Sequence, residues 1–351
     1  MLNKHVEPSL LQIASFNKYV IWECCAISHD AESIRNEIFD SITAMFGINV
    51  ICYSPIELGY MNLKWNMVTD AGDFFVKQYN KIRYPESLYD GLEIALTKQD
   101  SLYKAGIPSP KLFSNGGKYV LSTPSGEHFV LMESCEGNMV KAGTANEQQM
   151  YHLGQVTGRM HLLLNDNITG DQPLHWNIRK KEWMNENWNR RWREAHSLQC
   201  DITLSALEVQ RKIIEETDLD IFSECEPGWG HWDLFVDNIL FNPDSVSAIL
   251  DFDRMHYVYP EFDISRSILS CALHNDSIQL RQVAAFIAGY REYRELSIEK
   301  LIRSIKLTWW KEAEWVWVGK ERDTQPLRRF RIENRWVGEN WDRLHDIFGG
   351  M

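Results

Sequence analysis

The residues best equipped for chemistry lie in two short runs. Gly230-His231-Trp232-Asp233-Leu234-Phe235-Val236-Asp237-Asn238-Ile239-Leu240-Phe241 contains H-x-D-x-x-x-x-N followed by an apolar strand. Thirteen positions beyond Asn238 comes Asp251, inside Ile249-Leu250-Asp251-Phe252-Asp253. Much earlier, Lys77 stands in Phe75-Val76-Lys77-Gln78-Tyr79, a lysine among apolar strand residues. Phosphoryl transfer needs this set of groups. A carboxylate orients the attacking hydroxyl and accepts its proton. An amide and a second carboxylate hold Mg²⁺ on the phosphates, and a lysine neutralises phosphate oxygens. A lone D-F-D is commonly a loop beside a strand, and a lone strand lysine is ordinary. Their joint order along the chain carries the reading.

The elements that must position these groups follow from periodicity. Ile34, Ile38, Ile42 and Met45 recur at helical spacing after Ser28 and Asp30, either of which can cap the helix that Gly47 ends. Three β-like runs follow at 48–56, 61–69 and 73–79, the last two joined by a hairpin turn at Thr69-Asp70-Ala71-Gly72. Side chains alternate along a strand, so Phe75, Lys77 and Tyr79 share one face. A helix is expected at about 87–105, stopped by Gly106 and the Pro108/Pro110 pair. After a turn at Asn115-Gly116-Gly117, strands are expected at 118–122 and 128–132. Helices dominate beyond Gly137, one of them marked by Leu153, Val156, Met160, Leu163 and Leu164. The only strand-like pieces there flank 228–253. The expected fold is α+β and bilobal: a strand-rich nucleotide-binding lobe at 1–134 and a helical lobe at 135–351 carrying the acceptor and metal groups.

With these motifs in place, the chain resembles the aminoglycoside phosphotransferase and choline kinase superfamily, small-molecule kinases with a protein-kinase-like fold. The likeness covers about residues 40–300. The family pattern H-G-D-x-x-x-x-N is matched with Trp232 in place of Gly, I-x-D-F-D/E at Ile249–Asp253, and D-I/L-A/S at Asp263-Ile264-Ser265. The resemblance implies ATP (GTP is not excluded) and Mg²⁺ as cofactors. It gives Asp233 the role of catalytic base and His231 that of loop brace, with Asn238 and Asp251 as metal ligands. Lys77 resembles the nucleotide-phosphate lysine. Glu93 is the candidate for its helical partner, with Glu86 in reach of the same argument. Glu133 and Cys135 resemble the hinge that holds the adenine edge.

Some positions depart from the pattern or admit a plainer reading. The loop expected to cover the phosphates, at 56–62, holds the single Gly59 instead of a glycine-rich run. Trp232 puts a large ring beside the base. Asp253 serves equally well as a third metal ligand or as a cap for the next segment, and Asp263 is read as stabilising a helix start. His128, His152 and His161 show no ligand spacing. Trp176, Trp183, Trp188 and Trp192 interleave with Arg and Lys, which suits stacking on RNA bases. A packed helical insert suits an acidic protein better. Trp309, Trp310, Trp315 and Trp317 cannot all face one way, so some are core and others are free to line a cleft.

Composition narrows the partners. The 37 Lys+Arg against 49 Asp+Glu give a net charge of −12, which disfavours an electrostatic grip on nucleic acid. Seven Cys with no C-x-x-C pair fit neither a disulfide framework nor a zinc site, so a cytoplasmic location with reduced thiols is expected. No apolar run reaches the ~20 residues that span a bilayer, and no signal-peptide plan is visible. Nine residues separate Asp253 from Asp263, too few for a peptide-docking activation segment, so a small hydroxyl-bearing acceptor is expected. Between Glu226 and Asp263, eight acids stand against one Arg. That surplus favours a cationic, amino-bearing acceptor, and an antibiotic whose phosphorylation confers resistance is the expected one, with a choline- or homoserine-type metabolite as the alternative. A catalytically silent binding protein on the same fold is the reading from another class. A monomer or homodimer is expected.

Overall fold

The computed structural model describes residues 29–57, 61–166, 168, 172–315 and 325–351. Gly59, Trp317, Cys24 and Cys25 lie outside them. In chain order the first unit holds α1 (His29–Phe46), β1 (Val50–Pro55), β2 (Lys64–Thr69), β3 (Gly72–Tyr79), α2 (Tyr89–Lys104), β4 (Leu121–Ser122) and β5 (His128–Glu133). It takes in the described residues up to Lys104 together with Ser109–Cys135. The second unit comprises Ala105–Pro108 and Glu136–Met351. Its helices are α3 (Glu147–Asn165), α4 (Lys181–Ser197), α5 (Asp201–Glu216), α6 (Glu261–Ala272), α7 (Leu280–Arg291), α8 (Ile298–Glu312), α9 (Gln325–Glu339) and α10 (Leu344–Phe348). Between them run β6 (Gly228–Gly230), β7 (Ile239–Phe241), β8 (Val246–Ile249), β9 (His256–Val258), β10 (Leu273–His274) and β11 (Ser277–Ile278).

In the first unit an antiparallel sheet of order β1-β2-β3-β5-β4 carries both cores. The β2–β3 hairpin closes where expected, with Thr69 opposite Gly72 and the Thr69 hydroxyl donating to the Gly72 carbonyl at 2.7 Å. Strand alternation then sorts β3. Phe74 and Val76 join Ile38 and Ile42 of α1 with Trp65, Met67 and Leu131. Phe75 and Tyr79 turn to the other face, against Leu92 and Leu96 of α2 and Val130. Lys77, register partner of Val130, is therefore carried on the α2 side of a central strand and is 4% exposed.

The expected strand at 118–122 shrinks to Leu121–Ser122. Asn115 and Lys118 pair across the glycine turn, and the next two amides are taken by Glu93, whose carboxylate accepts the N–H groups of Tyr119 and Val120 at 2.8 and 2.9 Å. Those donors are satisfied without a strand neighbour.

The second unit is built around α6, buried along its whole length. α3 and α7 approach closely because Gly154 and Gly289 have no side chain. A Cβ at Gly154 would lie 2.1 Å from the Phe286 carbonyl oxygen, and one at Gly289 2.0 Å from that of Tyr151. Leu163 of α3 is half exposed and not part of the expected stripe. Strand pieces also occur beyond 253, since β9 pairs with β6 and β10 with β11. These are too short to show a period of two in sequence. The Trp-rich insert forms the α4–α5 hairpin, with the Trp188 indole donating to the Leu207 carbonyl at 2.6 Å. Trp309 and Trp310 of α8 are buried core residues.

Candidate active site

The loop from His231 to Asn238 leaves β6, makes a 3₁₀ turn at Val236–Asn238 and enters β7. Its start is anchored by Asp263 in the first turn of α6. The Asp263 carboxylate accepts the backbone N–H of His231 at 2.7 Å and of Trp232 at 2.8 Å, and takes a third bond from His161 Nε2 at 3.0 Å. The other ring nitrogen of His161 meets the Tyr290 hydroxyl at 3.0 Å. His161 and Asp263 are fully buried. Burial pushes the His161 ring well below its ordinary pKa, so a neutral ring donates through Nε2 and accepts through Nδ1. Burial pushes the Asp263 carboxyl up, but the hydrogen bonds it accepts from His161 and from the His231 backbone outweigh that, and it stays below the usual range. Sequence reasoning placed Asp263 at a helix start and left His161 to packing. Tyr290 and His161 carry no local signal for this role.

Within the loop, His231 Nδ1 accepts the N–H of Asp233 at 3.3 Å, which leaves Nε2 to donate to the Leu250 carbonyl at 3.0 Å. Asn238 donates through Nδ2 to the Asp233 carbonyl at 2.8 Å and to Asp233 Oδ2 at 3.2 Å. That fixes the amide with its carbonyl oxygen as the remaining acceptor end. The Arg254 guanidinium lies 3.9 Å from Asp233 Oδ1. Asp233, Asn238 and Asp253 are buried, and Asp251 is half-buried. The β7–β8 ladder sets Ile239 opposite Ile249, and Leu250 N–H donates to the Asn238 carbonyl at 2.8 Å. Asp251 thus follows one position past the residue bonded to Asn238, in a left-handed turn of φ 61° and ψ 62°. Trp232 also has φ 60°. For a side chain other than glycine that conformation costs about 1–2 kcal/mol, which is the physical reason the resembled pattern has Gly at this position. Here the indole is kept by packing: it stacks on Phe262 with centroids 6.0 Å apart and meets His175 and His256 edge-on.

Among the described residues no three His, Cys, Asp or Glu side chains gather as a metal cluster. Asn238 with Asp251 would give two oxygen ligands. That donor set fits Mg²⁺, which is bound through one or two carboxylates with phosphates and water completing its octahedron.

The first unit carries the other expected residues. The Lys77 ammonium lies 5.5 Å from the Tyr79 ring centroid. Glu93 spends both carboxylate oxygens on the Tyr119 and Val120 amides. Glu86 is exposed in a 3₁₀ turn ahead of α2. Glu133 ends β5 with its side chain on Lys111 at 3.0 Å. Burial, with the Glu133 charge, pushes the Cys135 thiol up to about 11.

Part of the acidic surplus between Glu226 and Asp263 is paired. Asp237 binds Arg329 of α9 at 2.7 Å, Glu261 binds Arg303 at 2.9 Å and Asp263 binds His161. The same region sets an acid limit on stability. Burial, the His175 charge and Arg254 push His256 down to about 3, and burial lowers His161. A base whose folded pKa is lowered binds fewer protons folded than unfolded, so stability is lost as pH falls below the unfolded value of about 6.5. Each such ring adds a slope of about 1.4 kcal/mol per pH unit below that point. Urea midpoints between pH 8 and 5 should therefore decline mainly below pH 6.5. A flat profile would mean that these rings are solvated.

Residues 53–296 match the family described as APH, phosphotransferase enzyme family. The chain belongs to that family. It is a small-molecule kinase, with the nucleotide and divalent-cation requirement that this chemistry brings. The chain is 25% identical over 282 residues to a homoserine kinase of Zymomonas mobilis subsp. mobilis, covering 76% of this chain and 82% of that one. It is 24% identical over 261 residues to a homoserine kinase of Mesorhizobium japonicum, covering 72% and 75%. Among solved structures, a microcompartment-associated aminopropanol kinase superposes with a TM-score of 0.55 at 16% identity, covering 87% of this chain and 96% of that one. An amicoumacin kinase in complex with AMP-PNP and Ca²⁺ gives 0.52 at 19%, covering 88% and 96%. These likenesses establish the protein-kinase-like α+β fold, a strand-rich unit followed by a helical one. Among the described residues no helix is long and apolar enough to cross a membrane.

Proposed function

We propose that this kinase transfers the γ-phosphoryl group of ATP to the hydroxyl of a small amino-bearing metabolite. Asp233 takes the hydroxyl proton as the oxygen attacks phosphorus and ADP leaves. His231 braces the loop, and Asn238 and Asp251 would hold Mg²⁺, with Asp253 as the third candidate ligand. Bound there, the metal would neutralise charge on the phosphates. Lys77 neutralises phosphate oxygens, and the backbone at Glu133 and Cys135 receives the adenine edge. Glu93 stays the candidate helical partner of Lys77, and it also braces the loop through the Tyr119 and Val120 amides.

The observation that carries the reading is the arrangement of Asp233, Asn238 and His231 in one bonded loop, followed by Asp251 across the β7–β8 ladder. A metabolite is favoured over an antibiotic because the homoserine kinases are similar in sequence over most of both chains, whereas the antibiotic kinase shares the fold alone. Incubation with Mg-ATP and a panel of amino alcohols, hydroxy amino acids and aminoglycosides, with ADP and phosphoester both measured, tests it. Asp251→Ala should weaken calorimetric binding of AMP-PNP by about tenfold or more with Mg²⁺ present and leave binding without metal unchanged. Equal loss in both conditions would make Asp251 a structural residue.

A further inference from the structure

Next to Asp233 the second unit gathers hydrogen-bond donors that lack acceptors. Lys311, in the last turn of α8, is 8% exposed. Among the described residues its ammonium makes no hydrogen bond or salt bridge; it faces two rings, 5.2 Å from the Trp232 centroid and 5.8 Å from that of Trp315. The indole Nε1 of Trp232 is itself buried with no acceptor. The two acids flanking Lys311 are engaged by other groups. Glu312 pairs with Arg266 at 3.2 Å, and Glu314 accepts from Trp176 Nε1 at 3.0 Å and Arg179 Nε at 3.1 Å.

Around this pair charges of both signs act: the Glu312 and Glu314 carboxylates favour the Lys311 ammonium, and Arg266 and Arg254 oppose it. Arg254 stands beside Asp233, and His175 and His256 stack on each other 3.7 Å apart, each with an edge on the Trp232 ring. His175 is exposed, which gives the cluster a side open to solvent. Burial, then Arg266 and Arg254, lower the Lys311 ammonium to about 7. A buried N–H donor without an acceptor costs stability, and so does a buried ammonium that makes no hydrogen bond. Two of them side by side are one negatively charged oxygen group short of a satisfied site.

We propose that the acceptor carries an oxyanion, a carboxylate, which docks on the Lys311 ammonium and the Trp232 indole N–H beside Asp233. This rests on the kinase reading above and narrows its substrate class to hydroxy acids and hydroxy amino acids. Lys311 lies beyond residues 53–296, so the family match does not assign it. The phosphoryl group in transit is the other oxyanion that could meet the same donors, and the test separates the two.

Acceptors are compared in pairs that differ by a carboxylate: L-homoserine with 3-amino-1-propanol, and L-serine with ethanolamine. The wild-type enzyme should favour the carboxylate member of the better pair by about 100-fold in kcat/KM. Lys311→Met should raise that member's KM by about 30-fold or more, hold kcat nearly constant, and leave the amino alcohol unaffected. Lys311→Arg, which keeps the charge, should retain the preference. Calorimetric binding of each pair to the enzyme with Mg·AMP-PNP reads docking without turnover, so its outcome stands apart from that of the kinase reading. The proposal is overturned if the carboxylate member binds no tighter than its partner. It is equally overturned if Lys311→Met lowers kcat for both members alike, which would assign Lys311 to the transferred phosphoryl group.

Discussion

Asp233→Asn is expected to lower kcat by about 10²–10⁴-fold while Mg-ATP affinity stays close to that of the wild type. In the proposed reaction the Asp233 carboxylate takes the acceptor's proton, since His231 has both ring nitrogens committed to backbone groups and Asp237 is paired with Arg329. An amide in its place keeps the shape, and its carbonyl oxygen can still accept from Asn238 Nδ2, as Oδ2 does now at 3.2 Å. What is lost is basicity. The lower rate corresponds to about 3–5 kcal/mol of barrier at 1.36 kcal/mol per decade. Single-turnover kinetics beside nucleotide titration give the two numbers. A variant turning over at the wild-type rate with saturating acceptor would remove Asp233 from the chemistry.

The second large effect is expected at Asp263, which touches none of the proposed reactants. Asp263→Ala leaves the amides of His231 and Trp232 and the His161 ring without their acceptor, all in fully or nearly fully buried positions. Leaving one buried donor without its acceptor costs about 1–3 kcal/mol, and here three donors lose theirs at once. Urea unfolding should show that loss, and kcat should fall further than nucleotide affinity because the His231–Asp233 backbone is no longer held. Asp263→Asn keeps one acceptor oxygen and should recover part of the stability. A loss below about 1 kcal/mol on Asp263→Ala would show that water replaces the carboxylate.

Part of this protein is legible in its residues because local physics encodes it. The alternation of β3 put Lys77 with Phe75 and Tyr79 on one face, and Thr69-Asp70-Ala71-Gly72 closed the hairpin, because strand period and turn chemistry act over a few residues. The H-x-D-x-x-x-x-N spacing is likewise a local property, enough to bring Asp233 and Asn238 into contact through one 3₁₀ turn. Tertiary structure alone decided which distant group each side chain meets. Glu93, on a helix, also accepts two loop amides that a two-residue strand leaves unpaired. Of the eight acids counted near the loop, Asp237 and Glu261 are taken up by Arg329 and Arg303, 92 and 42 residues further along the chain. His161, Asp263 and Tyr290 form one bonded chain only because glycines let α3 and α7 touch. Trp232 shows both limits together. Its identity was read as a bulky neighbour of the base, while its left-handed backbone and the buried Lys311 over its ring arise from packing between segments some 80 residues apart. Charge and hydrogen-bond satisfaction are properties of the folded neighbourhood, and a linear count of residues carries no distances.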